Sequence, residues 1–146
     1  MVLDGSRIGD GWNSGISVHS DSNTIRGMQV VGFSGAGIVI DRGQHNRIEK
    51  NISCGNDYGI GLWGTETSSN TIAGNYLGVL GDGATPQSNK SVGITIMEGA
   101  NGNSIGPDNH IAFSGSVGIE IYGANASRNA ITQYSIHDNG KGGVSL

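Results

Sequence analysis

Basic residues are scarce in this chain: eight Lys and Arg stand against twelve Asp and Glu, for a net charge of −4. Without a basic stripe to neutralise a phosphate backbone, nucleic acid is not an expected partner. Long apolar runs are missing too. None approaches the roughly 18 residues needed to cross a bilayer, and the first residues show neither a charged leader nor an apolar signal core, so no membrane partner is expected. A single cysteine, Cys54, excludes an intrachain disulfide and a thiolate zinc cage, and reads as a small buried apolar residue. Aromatics amount to 5% and all apolar residues to 35%, which rules out a large aromatic core. With 27 glycines, such a composition alone would describe a disordered chain, so periodicity has to decide.

What is present is a repeat. A Gly-apolar-x-apolar tetrad begins at Gly15, Gly37, Gly59, Gly93, Gly118 and Gly143, with steps of 22, 22, 34, 25 and 25 residues. An Asn-x-Ile motif falls between tetrads at Asn23, Asn46, Asn70, Asn103 and Asn129. A third landmark is an aliphatic residue seven positions before the next tetrad glycine, read as Ile8, Val30, Ile52, Ile111 and Ile136. Leu77 lies 16 positions before Gly93, so about nine residues are inserted within Gly78–Ser91. That segment is expected to protrude as a loop.

Three short alternating segments per period, separated by Gly, Asn, Ser and Asp, predict three short strands per coil joined by turns. A strand that recurs once per coil pairs with its copies above and below at about 4.8 Å, giving parallel sheets and inward columns of isoleucine. The expected fold is therefore an all-β, right-handed parallel β-helix of about six coils. It occupies residues 1–146 as a single domain, with handedness following from the parallel-crossover rule. The recurring asparagines are expected to take left-handed turn geometry and to pass their amides from coil to coil. Neither end carries a capping element, which predicts a part of a longer β-helix, or end-to-end self-association through uncapped coils.

The stretch Asn70-Thr71-Ile72-Ala73-Gly74-Asn75-Tyr76-Leu77-Gly78, with its Gly-Asp excursion and the following Gly93-Ile94-Thr95-Ile96, resembles a repeat of the pectin-lyase-like parallel β-helix superfamily. Such repeats occur in large bacterial surface and secreted proteins and in carbohydrate-active enzymes. The resemblance implies an extracellular or cell-surface location and polysaccharide as a partner. Signature motifs of the enzymatic branches are absent: Asn23-Thr24 and Asn70-Thr71 run into isoleucine, Arg47-Ile48 runs into Glu49, and no Gly-His-Gly occurs.

The tetrad strands should present two outward stripes. One reads Ser17, Val39, Gly61, Thr95, Glu120 and Ser145; the other reads His19, Asp41, Trp63, Met97 and Tyr122. Trp63 and Tyr122 are the residue types that stack on sugar rings, and Asp41, His19 and Glu120 could bond hydroxyls. Covering the sheet is the plainer role for the same aromatics. Asp41 and Glu120 lie three coils apart, roughly 14 Å, too far to flank one glycosidic bond. That leaves Glu120 as the single weak catalytic candidate. His45, His110 and His137 are expected in different parts of the cross-section, so no metal and no cofactor is predicted. Gly9-Asp10-Gly11 and Gly81-Asp82-Gly83 read as turns. The leading functional expectation is a non-catalytic β-helix scaffold or binding module of an extracellular or surface protein, with polysaccharide as its ligand. The alternatives are a fragment or divergent member of a polysaccharide lyase or glycoside hydrolase, and a purely structural self-associating module.

Overall fold

A computed structural model describes residues 1–146. It contains seventeen strands and no helix, so no helix is long and apolar enough to cross a membrane. The strands wind as a right-handed parallel β-helix of about six coils, three strands to a coil, on three parallel sheets. The six tetrads pair in one sheet, the tetrad sheet, which runs from Ile16–Val18 through Ala36–Asp41, Tyr58–Trp63, Ile94–Met97 and Val117–Ile121 to Gly142–Ser145. A second sheet stacks Val2–Asp4, Gln29–Val31, Ile52–Cys54, Tyr76–Leu77, Asn109–Ala112 and Tyr134–His137. The Asn-x-Ile segments build the third sheet, from Thr24–Arg26 to Ala130–Ile131.

Register follows the sequence landmarks. Ile38, Ile60, Ile94 and Ile119 are direct partners, as are Ile48 and Ile72 in the third sheet. These side chains are fully buried and form one continuous aliphatic core. Each contributes about 1.5–3 kcal/mol through removal from water.

Two landmarks of the second sheet are corrected. Ile8 is exposed and lies in a loop; the residue paired with Val30 is Leu3, twelve positions before Gly15 rather than seven. Five extra residues therefore loop out between Leu3 and Gly15. In the third coil Ser53, not Ile52, stands in register with Val30 and Leu77. Ser53 is fully buried, and its hydroxyl donates to the Gly59 carbonyl at 2.7 Å, so a polar residue is tolerated in the aliphatic column.

The asparagines do not take the left-handed conformation themselves. That conformation falls on the residue before each one: Ser22, His45, Ser69, Gly102 and Arg128 have positive φ. The kink at the preceding residue leaves the asparagine's own N–H pointing along the helix axis. The Asn46 N–H donates to Asn70 Oδ1 at 2.8 Å, while Asn46 Oδ1 accepts from the Asn23 N–H at 2.8 Å and its Nδ2 donates to the Ser20 carbonyl at 2.9 Å. Asn51, Asn75 and Asn109 repeat the arrangement at a second corner, and Asn56 and Asn89 at a third. Eight asparagines are buried in these stacks.

The insertion leaves the helix as a small antiparallel excursion. Val79 bridges Pro86, and the Gln87 N–H donates to the Gly78 carbonyl at 2.9 Å. Asp82 closes its tip by accepting the Thr85 hydroxyl and then the N–H groups of Thr85 and Ala84, which together lower its carboxyl to about 2, below the usual carboxylate range.

Asn75 Oδ1 accepts both the N–H and the Nδ2 of Asn51 at 2.9 and 3.1 Å in a fully buried corner. Asn75→Ala strands two buried donors and is expected to cost at least about 1–3 kcal/mol in urea denaturation. Ser135→Ala on the exposed face should change stability by no more than about 0.5 kcal/mol.

Candidate functional site

The tetrad sheet alternates as its sequence dictates, Ile60 and Leu62 inward and Gly61 and Trp63 outward. Gly61 is the smallest member of the first outward stripe, and Trp63 exploits it. The indole lies back over Gly61 so closely that a Cβ there would sit 2.6–2.8 Å from ring atoms. Trp63 is therefore half-buried and does cover the sheet. Val39 and Thr95, on either side of Gly61, are buried as well, so the middle of this stripe is not open to solvent.

Two further aromatics complete a cluster. Trp12 comes from the loop between Leu3 and Gly15, which is pinned across Ser34 and Gly35 by the Asn13 N–H donating to Ser34 Oγ at 3.0 Å and the Gly35 N–H donating to the Asn13 carbonyl at 2.8 Å. Its ring meets that of Trp63 at 5.2 Å between centroids, tilted by 42°. Tyr58, at the start of the same strand as Trp63, stands edge-on to it at 6.4 Å. Trp12, Tyr58 and Trp63 line a shallow cleft of about 220 Å³ with Met97 and Glu98. Beneath them Trp63 Nε1 and Thr95 Oγ1 are buried without hydrogen-bond partners.

The remaining candidates surround this cluster in register order. Glu120 is half-buried and close enough for its charge, after burial and Asp57, to raise the Tyr58 phenol above its usual range. Asp41, the strand partner of Trp63, accepts from Arg42 Nε at 3.2 Å and lies 3.5 Å from His19 Nδ1. Tyr122 is 70% exposed and stands apart, two strands from Trp63. The structure thus brings Trp63 and Glu120 to the cluster, pairs His19 with Asp41 beside it, and leaves Tyr122 outside. Asp41 and Glu120 are three strands apart, about 14 Å by strand spacing. Sequence reasoning did not find Trp12 or Tyr58. Trp12 lies in a loop that has no repeat register. Tyr58 immediately precedes a tetrad glycine and shares the parity of Ile60 and Leu62, so alternation alone places it inward.

His110 and His137 correct the expectation that the histidines are scattered. His110 precedes Ile111 and His137 follows Ile136, and both isoleucines point inward in one column of the second sheet. Residues flanking an inward position point outward, so the two imidazoles share one face, offset by one coil and two residues. Their Nε2 atoms approach to 3.0 Å. His45 lies exposed at a corner of the third sheet. A wider groove of about 700 Å³ runs beside His110, lined by Tyr76, Asp108, Asn109, Gln133 and Tyr134 among others.

These features define a β-helix module with an aromatic surface patch. A family model described as "NosD: Periplasmic copper-binding protein (NosD)" matches residues 1–79, and the chain belongs to this family. A periplasmic family is consistent with a location outside the cytoplasm. No curated protein and no solved structure matches the chain. The donors within residues 1–79 do not fit copper. His19 is held against Asp41, His45 is alone, and Cys54 is fully buried with its thiol pushed up by burial to about 11. Nowhere in the chain do three His, Cys, Asp or Glu side chains converge.

Two outcomes follow from this geometry. Because its thiolate is disfavoured by burial, Cys54 should resist a thiol-specific disulfide reagent at pH 8 in the folded protein and react fully in urea. Gly61→Val should expel the Trp63 indole, which would be read as loss of the near-UV circular dichroism that arises from the Trp12–Trp63 contact while the far-UV spectrum is kept.

Proposed function

We propose that this chain is a non-catalytic binding module of a periplasmic or extracellular protein, and that it holds a polysaccharide against the outer face of the tetrad sheet. The observation that carries this reading is the Trp12–Tyr58–Trp63 cluster. Three of the few aromatic side chains in the chain are gathered on one outward face, with Trp12 still 54% exposed. Aromatic faces of this kind accept the C–H surface of a pyranose ring, and polar groups at their rim set orientation. Those groups are Glu98 and Glu120 on one side and the His19–Asp41 pair on the other. Tyr122, further along the helix, extends the surface in the direction in which a chain of sugars would run.

A hydrolytic role is disfavoured by the separation of Asp41 and Glu120. Two carboxylates that flank a glycosidic bond stand about 5–9.5 Å apart, and these are about 14 Å apart.

The test is a polysaccharide array probed with the protein, Trp12→Ala and Trp63→Ala. Binding to a neutral or acidic polysaccharide that weakens about fivefold or more in each variant is the expected result, given a stacking contribution of about 1 kcal/mol per ring. An absence of binding by the parent protein, or binding that both substitutions leave unchanged, would overturn the proposal.

A further inference from the structure

The aromatic cluster on the tetrad sheet is an angular cleft rather than a flat platform. Against the Trp63 ring, Trp12 is inclined by 42° and Tyr58 by 84°, with centroids 5.2 and 6.4 Å away. The space that the three rings enclose with Met97 and Glu98 is about 220 Å³, below the roughly 300–1,000 Å³ of ordinary small-molecule pockets. It admits one substituent of a sugar and leaves the sugar ring itself to the exposed face of Trp12. Indole and phenol rings carry negative charge on their faces and attract a cation that lies over them.

The carboxylates at this cleft add charge of the same sign. Glu98 is one of its lining residues. The charges felt by the Tyr58 phenol are those of Asp57 and Glu120, both negative, and with burial they push that phenol above its usual range, so Tyr58 is a neutral wall. Four ion pairs form in the chain, and none engages Glu98 or Glu120. Arg42, which follows the strand partner of Trp63, is held on Asp41 at 3.2 Å, where His19 also lies. An unpaired carboxylate at the edge of inclined aromatic rings is complementary to an ammonium group: the rings attract it through their faces, and the carboxylate accepts its N–H groups.

We propose that this cleft selects saccharides by charge and prefers a hexosamine chain with free, protonated amines, one ammonium lying among the Trp12, Tyr58 and Trp63 rings and donating to Glu98. Glu120 adds to the negative field that holds it. The inference rests on the saccharide-binding role given to this face above and names the class of sugar that the face prefers. A neutral chain keeps the stacking on Trp12 and loses the ion pair. A uronate chain brings its own carboxylates against Glu98 and Glu120 and is repelled. The order of affinity is therefore amine, neutral, acid.

The experiment is calorimetry on the full chain at about pH 6, where a primary amine is protonated, with three hexasaccharides: 1,4-linked glucosamine, its fully N-acetylated form, and galacturonate. The glucosamine chain should bind about fivefold or more tighter than the N-acetylated one, the gain of one partly exposed cation–π contact, and galacturonate should bind weakest. Because Glu98 and Glu120 also orient a neutral sugar, the readout in Glu98→Gln and in Glu98→Gln/Glu120→Gln is the ratio of the first two affinities, which should fall stepwise toward one. Glu49→Gln removes the same charge from the third sheet, where Glu49 pairs with Arg47, and should leave the ratio unchanged. That control separates the cleft from the net charge of −4, which draws any polycation to the chain. Far-UV circular dichroism establishes that each variant is folded. Equal or tighter binding of the N-acetylated or galacturonate chain, or a ratio that survives Glu98→Gln/Glu120→Gln, would overturn the inference, while loss of that binding in Trp63→Ala would keep the saccharide reading. Absence of binding by all three hexasaccharides also overturns the inference, and the polysaccharide array then decides the reading by itself.

Discussion

Every coil of this molecule must leave its corners without burying an unpaired amide, and it must do so again about 4.8 Å further along. Corners are where backbone groups turn away from the sheets, so the sheets cannot satisfy them. Here the asparagine side chain does. It accepts an N–H from the coil before, donates its amide back to that coil, and gives its own N–H to the next asparagine, so that one residue links three coils. The isoleucine columns supply the apolar driving force. They can stack in register only because the corners repeat with the same geometry. A register slip of one residue would expose the columns and break every such bond at once.

This constraint governs where the chain is free to vary. Between the third sheet and the second, the spacing from inward residue to inward residue is five in four coils and six in one, from Ile25 to Val30 through Ile131 to Ile136. Asn51, Asn75 and Asn109 occupy that corner. Between the second sheet and the tetrad sheet the spacing runs from six, at Ser53 to Gly59, to sixteen, at Leu77 to Gly93. Both excursions of the chain leave from this tolerant corner, but they lean in opposite directions. The first carries Trp12 across to Trp63 on the tetrad sheet. The second sets Gly83 against Tyr76 and near His110 on the second sheet. The two outward aromatic clusters therefore share one origin: a loop that the repeat permits, brought down on outward side chains that the repeat aligns.

The same logic explains what could be read from the residues. The tetrad and Asn-x-Ile landmarks have short, fixed internal spacing, and they gave the number of coils, the strands of two sheets and the inward columns without error. The landmark counted across the tolerant corner failed at Ile8 and Ile52, because counting back from a glycine assumes a constant loop length. The pairing of His110 and His137 does not depend on that failure, since each adjoins a correctly placed isoleucine. Alignment to Ile111 and Ile136 would have put both rings on one face. Trp12 was beyond reach for a different reason: a side chain on an excursion has no column, and only tertiary contact decides what it covers. The left-handed residues were misplaced by one position, since Ser22, His45 and Arg128 carry no compositional mark of positive φ.

Division of labour between corners also bears on how such a scaffold acquires binding sites. A substitution at a solvent-exposed position of an outward stripe, such as Ser17, costs little stability, because the columns and corner stacks are on the other side of the backbone. Gly61 shows the coupling that remains. Its missing side chain is the space into which the Trp63 indole folds, and that indole in turn is the platform for Trp12. Three residues, one from the first coil and two from the third, thus form one layer on the sheet, built by removing bulk at one position and adding it at two others. On the second sheet the layer is Tyr76, His110 and His137, each from a successive coil, with His110 stacked on Tyr76 and His137 edge-on to His110. In both places the spacing of the coils, about 4.8 Å, sets aromatic side chains of the same sheet face at the separation at which they meet one another.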